Sequence, residues 1–259
     1  MAIIKNPLTI VQTGGGENKL PQVIDRTITT LTANDLQGAT SIGDYAFYQC
    51  FSLKTVTIPD NIKNIGRRAF YNCSNLISIN IPESMTNIAD YAFYGCSSLT
   101  SITIPNSVVS IDSSAFSGCA SLAEVYISNI VSWCGISFGN YVANPLYYGG
   151  KLYLNGQLVT NLEIPNNVTS INEGAFSGCS SLTSVTIPSS VTSIGSWAFN
   201  GCDSLTTMTI LATTPPTLTS TKAISTATTK IYIPAGTLSA YQSATNWSNF
   251  ADKFEELPA

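Results

Sequence analysis

One template recurs along this chain, and it restricts the possible fold more than any other feature of the sequence. All six copies share Ile-x-x-x-Ala-Phe-x-x-Cys-x-x-Leu, and they begin at Ile42, Ile65, Ile88, Ile111, Ile171 and Ile194. Successive copies are 23 residues apart, with a single separation of 60 residues. A fixed period of this length is typical of coils that stack, each contacting only its neighbours. We therefore predict a single elongated domain of stacked coils with a cap at each end.

Each copy has the pattern of a short strand followed by a turn. Leu-x-x-Val/Ile-x-Ile-Pro, as in Leu53–Pro59, is rich in β-branched residues and nearly alternating, which favours a strand. The proline ends that strand because it has no N–H for a ladder. Val-x-x-Ile, as in Val108–Ile111, predicts a second and weaker strand. Ala-Phe-x-x-Cys is too short for a full helix and predicts one 3₁₀ or α turn.

Phenylalanine and cysteine each occupy one position of the template and should form columns through the stack. The columns are Phe47, Phe70, Phe93, Phe116, Phe176 and Phe199, and Cys50, Cys73, Cys96, Cys119, Cys179 and Cys202. A small thiol can turn inward and meet backbone groups of the adjacent coil, so we interpret the cysteines as structural. Cysteines in a single file lack the paired geometry of disulfides, and no Cys-x-x-Cys or histidine indicates a metal site.

The extended phrase Ile-Gly-x-x-Ala-Phe-x-x-Cys-x-Ser-Leu-x-x-Val-x-Ile-Pro-x-x-Val resembles the BspA-type bacterial leucine-rich repeat. The resemblance covers about Ile42 to Ile210. It implies a β-rich leucine-rich repeat solenoid of parallel strands and short 3₁₀ or α turns. It also implies a surface-displayed or extracellular protein that adheres to host proteins or other cells. The start of the chain departs from this expectation, because Lys5, Asn6 and Pro7 interrupt its apolar patch and do not favour a secretory signal.

The segments flanking and interrupting the copies complete the predicted organisation. We expect an N-terminal arm and linker (1–20), an N-terminal cap (21–41), repeat modules (42–127 and 165–210), an irregular aromatic-rich insertion (128–164) and a C-terminal cap (211–259). The insertion should bulge from the stack as a loop and a hairpin, with Asn155-Gly156 as the hairpin turn. Lys230–Pro234 should supply the last strand, and Leu238–Phe254 should form helical pieces that seal the last coil.

Composition argues against several classes of function. The chain has 11 Lys and Arg against 15 Asp and Glu, with a net charge of −4, and its few cations are scattered, so we expect no nucleic-acid partner. No apolar run is long enough for a membrane span. The complete lack of histidine excludes Ser-His-Asp and Cys-His catalytic sets. Asp44, Asp90 and Asp112 are explained more simply as turn residues than as a catalytic pair. We therefore expect no enzymatic activity, no cofactor and no metal.

Three surfaces are candidates for ligand binding. The outward strand positions are rich in Thr and Ser, although Thr is also the usual solvent-facing residue of a strand. A tyrosine column follows the phenylalanines in the first three modules only, and the insertion adds further aromatic residues. These two groups supply the candidate contacts Tyr45, Tyr48, Tyr71, Tyr91 and Tyr94, together with Trp133, Tyr141, Tyr147 and Tyr148. Exposed aromatic rows suit protein or glycan contact, but such rings can equally pack on neighbouring coils.

Three hypotheses of function remain open from the sequence. The first is a non-enzymatic binding or adhesion protein that recognises a protein or glycan on a surface. The second is a prophage-encoded virion or tail-associated protein, which the absent signal and the linker Gly14-Gly15-Gly16 would fit. The third is an intracellular interaction scaffold. The sequence leaves the ligand and the oligomeric state undetermined.

Overall fold

The computed structural model describes residues 19–20 and 26–258, in which short strands are stacked in parallel from coil to coil. The N-terminal arm, predicted for residues 1–20, lies outside the described residues except for Lys19 and Leu20. In chain order the strands are β1 (Lys19–Leu20), β2 (Thr30–Leu31), β3 (Ser41–Ile42), β4 (Thr55–Val56), β5 (Ser78–Ile79), β6 (Asn87–Ile88), β7 (Ser101–Thr103), β8 (Ser110–Ile111), β9 (Glu124–Ile127), β10 (Ser137–Phe138), β11 (Lys151–Leu154), β12 (Gln157–Leu158), β13 (Asn161–Glu163), β14 (Ser170–Ile171), β15 (Ser184–Ile187), β16 (Ser193–Ile194), β17 (Thr207–Ile210), β18 (Thr217–Leu218), β19 (Lys230–Ile233) and β20 (Phe254–Glu256).

Helical structure is sparse and is concentrated in the insertion and the caps. The α-helices are α1 (Ile130–Cys134) and α2 (Leu238–Ser243). The 3₁₀ helices are Ala33–Leu36, Tyr141–Ala143, Thr221–Ala223 and Trp247–Lys253.

The strands form two series, as the template predicts. The main series comprises the sheets β2-β4-β5, β7-β9-β11-β12 and β13-β15-β17-β19-β20. The second series comprises β1-β3, β6-β8-β10 and β14-β16-β18, and the Val-x-x-Ile segments supply its strands β8, β14 and β16. Regular coils pair at the repeat spacing, so that Val185 lies opposite Met208 and Ile171 opposite Ile194. All described pairs are parallel except β11 with β12. The predicted two-strand coil is therefore confirmed.

Apolar columns run through the stack and form its core. The template phenylalanines are 0–1% exposed, and their rings stack from coil to coil with centroids 5.1–5.6 Å apart. The template cysteines are buried free thiols. Cys73 Sγ donates to the carbonyl oxygen of Phe47 at 3.1 Å, and Cys96 Sγ donates likewise to Phe70 at 3.2 Å. Cys119 and Cys202 make the same bond, whereas Cys179 Sγ pairs with Ser181 Oγ at 3.6 Å. The structural interpretation of the cysteines is confirmed, because these buried thiols hydrogen-bond within the stack.

The Ala-Phe-x-x-Cys segments are not the single helical turn that their length suggests. In the first copy, Tyr48 N donates to Tyr45 O and Cys50 N donates to Phe47 O, both at 3.1 Å. The alternate N–H groups, those of Phe47 and Gln49, donate instead to carbonyl oxygens of the next coil, each at 2.7 Å. Residues with positive φ interrupt the helical path, so alternate backbone N–H groups point toward the next coil. The segment is therefore a series of turns that also hydrogen-bonds to the neighbouring coil.

The insertion corrects a second expectation, since most of it does not bulge. Strand β10 pairs in parallel with β8, and β11 pairs in parallel with β9. The segment therefore forms one additional coil, held in the stack by buried Phe138, Leu146 and Leu152. Only the hairpin departs from the coil path, and its Asn155-Gly156 turn has φ angles of 51° and 77° as an Asn-Gly turn requires.

The described parts of the N-terminal and C-terminal caps cover the ends of the core. Leu31 and Leu36 are buried in the N-terminal cap. In the C-terminal cap, Tyr241 and Trp247 are buried, and the indole of Trp247 donates to Pro216 O at 2.7 Å. The last strand is β20 rather than the predicted Lys230–Ile233 strand, because β20 adds in parallel to the outer edge of β19.

Candidate functional site

The turns on either side of each template phenylalanine form one edge of the stack, which we call the turn face. In every regular coil one residue before the phenylalanine and one residue after it have positive φ. The first position holds Tyr45, Arg68, Tyr91, Ser114, Gly174 and Trp197, with φ from 55° to 69°. The second holds Gln49, Asn72, Gly95, Gly118, Gly178 and Gly201, with φ from 55° to 78°.

The two positions differ in side-chain size in an informative way. Glycine fills the second position in four of six coils, as left-handed geometry favours. The first position carries Tyr, Arg, Tyr and Trp in four of six coils, although a left-handed conformation costs a bulky residue roughly 1–2 kcal/mol. Strain of this kind is concentrated at functional sites. The side chains of the first position are therefore the first to consider for binding.

Six side chains on the first three modules form what we call the tyrosine–arginine cluster: Tyr45, Tyr48, Arg68, Tyr71, Tyr91 and Tyr94. All six are half-buried. The rings of Tyr48 and Tyr71 stack at 5.1 Å, and those of Tyr71 and Tyr94 stack at 4.7 Å. Tyr45 and Tyr91 tilt against the two ends of this file. The five tyrosine candidates predicted from the sequence thus meet in one ordered surface.

Arg68 is the member of the cluster that sequence reasoning missed. Its guanidinium carbon lies 5.6 Å from the ring centroids of Tyr45 and Tyr71 and 5.1 Å from that of Tyr91. Its Nη1 donates to Tyr45 Oη at 3.0 Å. The template offset was the available signal, because Arg68 occupies in its coil the position that Tyr45 and Tyr91 occupy in the coils on either side.

The hydroxyl of Tyr71, at the centre of the cluster, stays protonated at neutral pH. Partial burial, then the neighbouring phenols of Tyr94 and Tyr48, raise the pKa of Tyr71 above its ordinary value near 10. A neutral phenol both donates and accepts hydrogen bonds. The cluster therefore presents ring edges, hydroxyl groups and one guanidinium.

A second aromatic group lies further along the same turn face, and we call it the insertion cluster: Tyr141, Tyr147, Tyr148, Trp197 and Lys222. Tyr141 stacks on Trp197 at 4.6 Å and packs edge-on against Tyr147 at 5.4 Å. Tyr148 is 42% exposed, and its hydroxyl accepts from Gly118 N at 2.8 Å. The ammonium of Lys222 lies 4.6 Å from the Trp197 ring centroid. Sequence reasoning missed Trp197 and Lys222.

Trp133 is a correction to the predicted contacts, because it lies in the core. It is 1% exposed, and its indole donates to Ala175 O at 2.9 Å. Its ring packs edge-on against Phe138 at 5.8 Å. Helix α1 directs the side chain inward to fill the additional coil, so Trp133 offers no surface to a ligand.

The sheet face carries the predicted outward residues, which are all exposed or half-buried. It is mostly hydroxyl-rich, with one polar aromatic group on β9 and β11. Tyr126 Oη donates to Glu124 Oε2 at 2.8 Å, and Tyr153 stacks on Tyr126 at 4.7 Å. Hydrogen bonding to Glu124, followed by partial burial, raises the pKa of Tyr126.

Side chains suited to metal binding do not converge among residues 26–258. No three His, Cys, Asp or Glu side chains of that region come together as possible metal ligands. Burial raises the pKa of the Cys119 and Cys134 thiols to about 12, so neither is a thiolate nucleophile at neutral pH. Asp44 acts in a turn, where Oδ1 accepts from Arg67 N at 3.0 Å. No helix in the described chain is long and apolar enough to cross a bilayer.

Comparison with known proteins adds the following. A family model described as BspA type leucine rich repeat region matches six copies over residues 27–141 and 149–249. Among solved structures, a leucine rich cell surface protein from Faecalibacterium prausnitzii is 26% identical, with a TM-score of 0.37, covering 90% of this chain and 80% of that one. A leucine-rich repeat protein from Eubacterium ventriosum is 22% identical, with a TM-score of 0.45, covering 85% and 72%. A leucine rich repeat protein from T. pallidum is 23% identical, with a TM-score of 0.36, covering 79% and 75%. No curated protein matches the chain.

Proposed function

Because the chain belongs to the BspA-type leucine-rich repeat family, which supports a binding or protein-interaction role, we propose that it is a non-enzymatic recognition protein whose turn face binds another protein. The observation that carries the proposal is the tyrosine–arginine cluster. Tyr and Arg are the side chains most enriched at the energetic centres of protein interfaces. Their mutual stacking holds them in place before binding, which lowers the ordering entropy that a partner must offset.

The stacking geometry favours a protein over a glycan as the ligand of this cluster. A sugar that packs on an aromatic platform needs a free ring face. Tyr71 has none, since Tyr48 covers one face and Tyr94 the other. Ring edges and hydroxyls remain, and these suit the mixed polar and apolar contacts of a protein interface. A glycan ligand is therefore the less favoured of the two partners considered from the sequence.

The insertion cluster supports the same reading from a second place on the turn face. Gly174 leaves the first turn position without a side chain, and the Cα of Tyr141 lies 3.7 Å from where a Cβ would stand there. Tyr141 thereby reaches Trp197 in the next coil. Aromatic side chains thus occupy the turn face on both sides of the coil that carries Ser114 and Ser117.

A binding screen with a matched variant tests the proposal. Purified proteins and glycans are immobilised and probed with the wild type, with Tyr71→Ser/Tyr94→Ser and with Tyr232→Ser. Tyr232 is a half-buried tyrosine of β19, away from the turn face, and serves as the control. We expect at least one protein to bind the wild type and the control, and to lose at least tenfold in affinity for the double variant.

Three results would contradict the proposal, provided that circular dichroism shows all three proteins folded. They are binding to glycans alone, equal binding by the double variant, and no binding by any of the proteins. The last result would favour the virion hypothesis. That hypothesis depends on the N-terminal arm, of which the structure describes only Lys19 and Leu20, and no contact in the described coils favours it.

A further inference from the structure

The positive charge of Arg68 has no counter-charge in the described structure. No carboxylate of residues 26–258 lies within ion-pair distance of Arg68. The ion pair in this part of the chain joins Lys230 to Glu255, on β19 and β20. Of the five N–H donors of the guanidinium, only one on Nη1 is bonded, to Tyr45 Oη. Its Nε is buried and has no hydrogen-bond partner. Nη2 has no hydrogen-bond partner among the described residues either, but it is not buried, so it remains accessible to a ligand.

Packing nevertheless fixes Arg68 in place. Rings of three tyrosines lie within 5.6 Å of its guanidinium carbon, on its own coil and on both neighbouring coils. Its backbone is held at φ 55°, a conformation that an arginine adopts at a cost. The neighbouring Arg67 differs in each respect, because it is exposed and has neither a ring contact nor a positive φ. The adjacent pair therefore offers one ordered guanidinium and one unconstrained guanidinium.

We infer that Arg68 is the anchor for a carboxylate, supplied by an aspartate or glutamate side chain of the partner protein. The inference rests on the proposed function and names the group that the tyrosine–arginine cluster recognises. A guanidinium that is fixed by ring contacts can offer two parallel N–H groups to the two oxygens of a carboxylate. Tyrosine hydroxyl groups lie around it, and a hydroxyl can donate a hydrogen bond to the same anion.

The net charge of the chain indicates whether long-range attraction contributes to this contact. The chain carries a net charge of −4, so its overall field does not attract an acidic partner. Selectivity for the carboxylate must come from short-range contact at Arg68 rather than from steering. Exchanging Arg68 for lysine should therefore reduce affinity although the charge is kept, because an ammonium group lacks the planar fork.

The test follows the side-chain N–H of Arg68 by nuclear magnetic resonance. A glutamate-containing hexapeptide with blocked ends is titrated into the full chain, beside the same peptide with glutamine in place of each glutamate. The variants are Arg68→Tyr, Arg68→Lys and, as the matched control, Arg67→Gln. Tyrosine is a fold-compatible replacement, because Tyr45 and Tyr91 hold the same turn position in the adjacent coils.

We expect the glutamate peptide to shift the Arg68 Nε–H resonance saturably, and the glutamine peptide to leave it unchanged. Affinities of the variants are taken from the backbone amide shifts of the turn face in the same titrations, because Arg68→Tyr and Arg68→Lys lack the Arg68 resonance. Affinity should fall about tenfold in Arg68→Tyr, which corresponds to 1.4 kcal/mol, and measurably in Arg68→Lys, while Arg67→Gln binds within twofold of the wild type. The inference is overturned if the glutamate peptide causes no saturable shift, if Arg68→Tyr binds as tightly as the wild type, or if sialyllactose shifts the resonance and the peptide does not.

The design separates failure of this inference from failure of the proposed function. Arg68→Tyr retains, and extends, the aromatic surface while removing the guanidinium. A protein partner that is lost by Tyr71→Ser/Tyr94→Ser but retained by Arg68→Tyr would support the binding surface and refute the carboxylate anchor. A partner unaffected by either variant would refute both.

Discussion

The phenylalanine column makes a quantitative prediction, because its members differ in how many rings they touch. Phe93 stacks on Phe70 at 5.6 Å and on Phe116 at 5.3 Å. Phe199 stacks on Phe176 alone, at 5.2 Å. Both Phe93 and Phe199 are fully buried at the same template position, so substitution of each by leucine removes the ring from a comparable site.

The difference between the two substitutions isolates one ring pair. Stacked aromatic pairs contribute about 0.5–1.5 kcal/mol beyond their buried area. Phe93→Leu loses two such pairs and Phe199→Leu loses one, while the lost apolar area is similar. We therefore expect Phe93→Leu to lower the free energy of unfolding by about 1 kcal/mol more than Phe199→Leu does.

Urea unfolding followed by circular dichroism measures this difference. With a slope of about 2.5 kcal/mol per M, the transition midpoint of Phe93→Leu should lie roughly 0.4 M below that of Phe199→Leu. The slopes of both variants must match that of the wild type for the comparison to hold. Equal midpoints, or a lower midpoint for Phe199→Leu, would refute the reasoning that ring pairs between coils contribute separately to stability.

Three further predictions test other parts of the stack. Gly195→Ala should destabilise the fold by at least about 2 kcal/mol in urea unfolding, because its Cβ would stand 2.7 Å from the Cα of Glu173; unchanged stability would contradict this close approach. Burial raises the pKa of Cys119 and Cys134 to about 12, so thiol reagents at pH 8 should label neither residue until urea unfolds the chain. Unfolded cysteine has a pKa of about 8.5, below that of these folded thiols, so the free energy of unfolding should also decline as pH rises above about 8.5. A free energy of unfolding that stays constant from about pH 8 to 11 would contradict this expectation. Trp133→Phe should cost about 1 kcal/mol in urea unfolding, since the indole donates to a buried carbonyl; a neutral effect would show that this bond adds nothing.

Much of the fold follows from local pattern. The family match and the parallel strands confirm the expected β-rich leucine-rich repeat class. The Asn155-Gly156 hairpin was predicted correctly because left-handed φ angles at two successive residues are cheap for that pair. The Ala-Phe-x-x-Cys segment was predicted less well, since hydrogen bonds to the neighbouring coil compete with those of a helical turn, and sequence periodicity does not show that competition.

The candidate site was predictable in its tyrosines and not in its cation. Tyr48, Tyr71 and Tyr94 share a template offset, so their stacking follows from the register of the coils. Arg68 shares an offset with Tyr45 and Tyr91, and this offset places it beside them, but it does not show that the guanidinium contacts their rings. Its role as a common ring contact becomes visible only when the left-handed turn sets the direction of its side chain.

The sequence by itself determined the repeating coil, its apolar columns and its inward cysteines, because no 23-residue unit can bury its own Leu, Ile and Phe without a neighbour on each side. Tertiary structure alone decided which aromatic residues of the insertion meet and what they contact. The insertion forms a coil of unequal length, so the template no longer dictates its register. That coil turns Trp133 into the core and brings Tyr141 onto Trp197, two residues far apart in the chain. Side-chain direction in such a coil depends on backbone turns and on the space that the neighbouring coils leave.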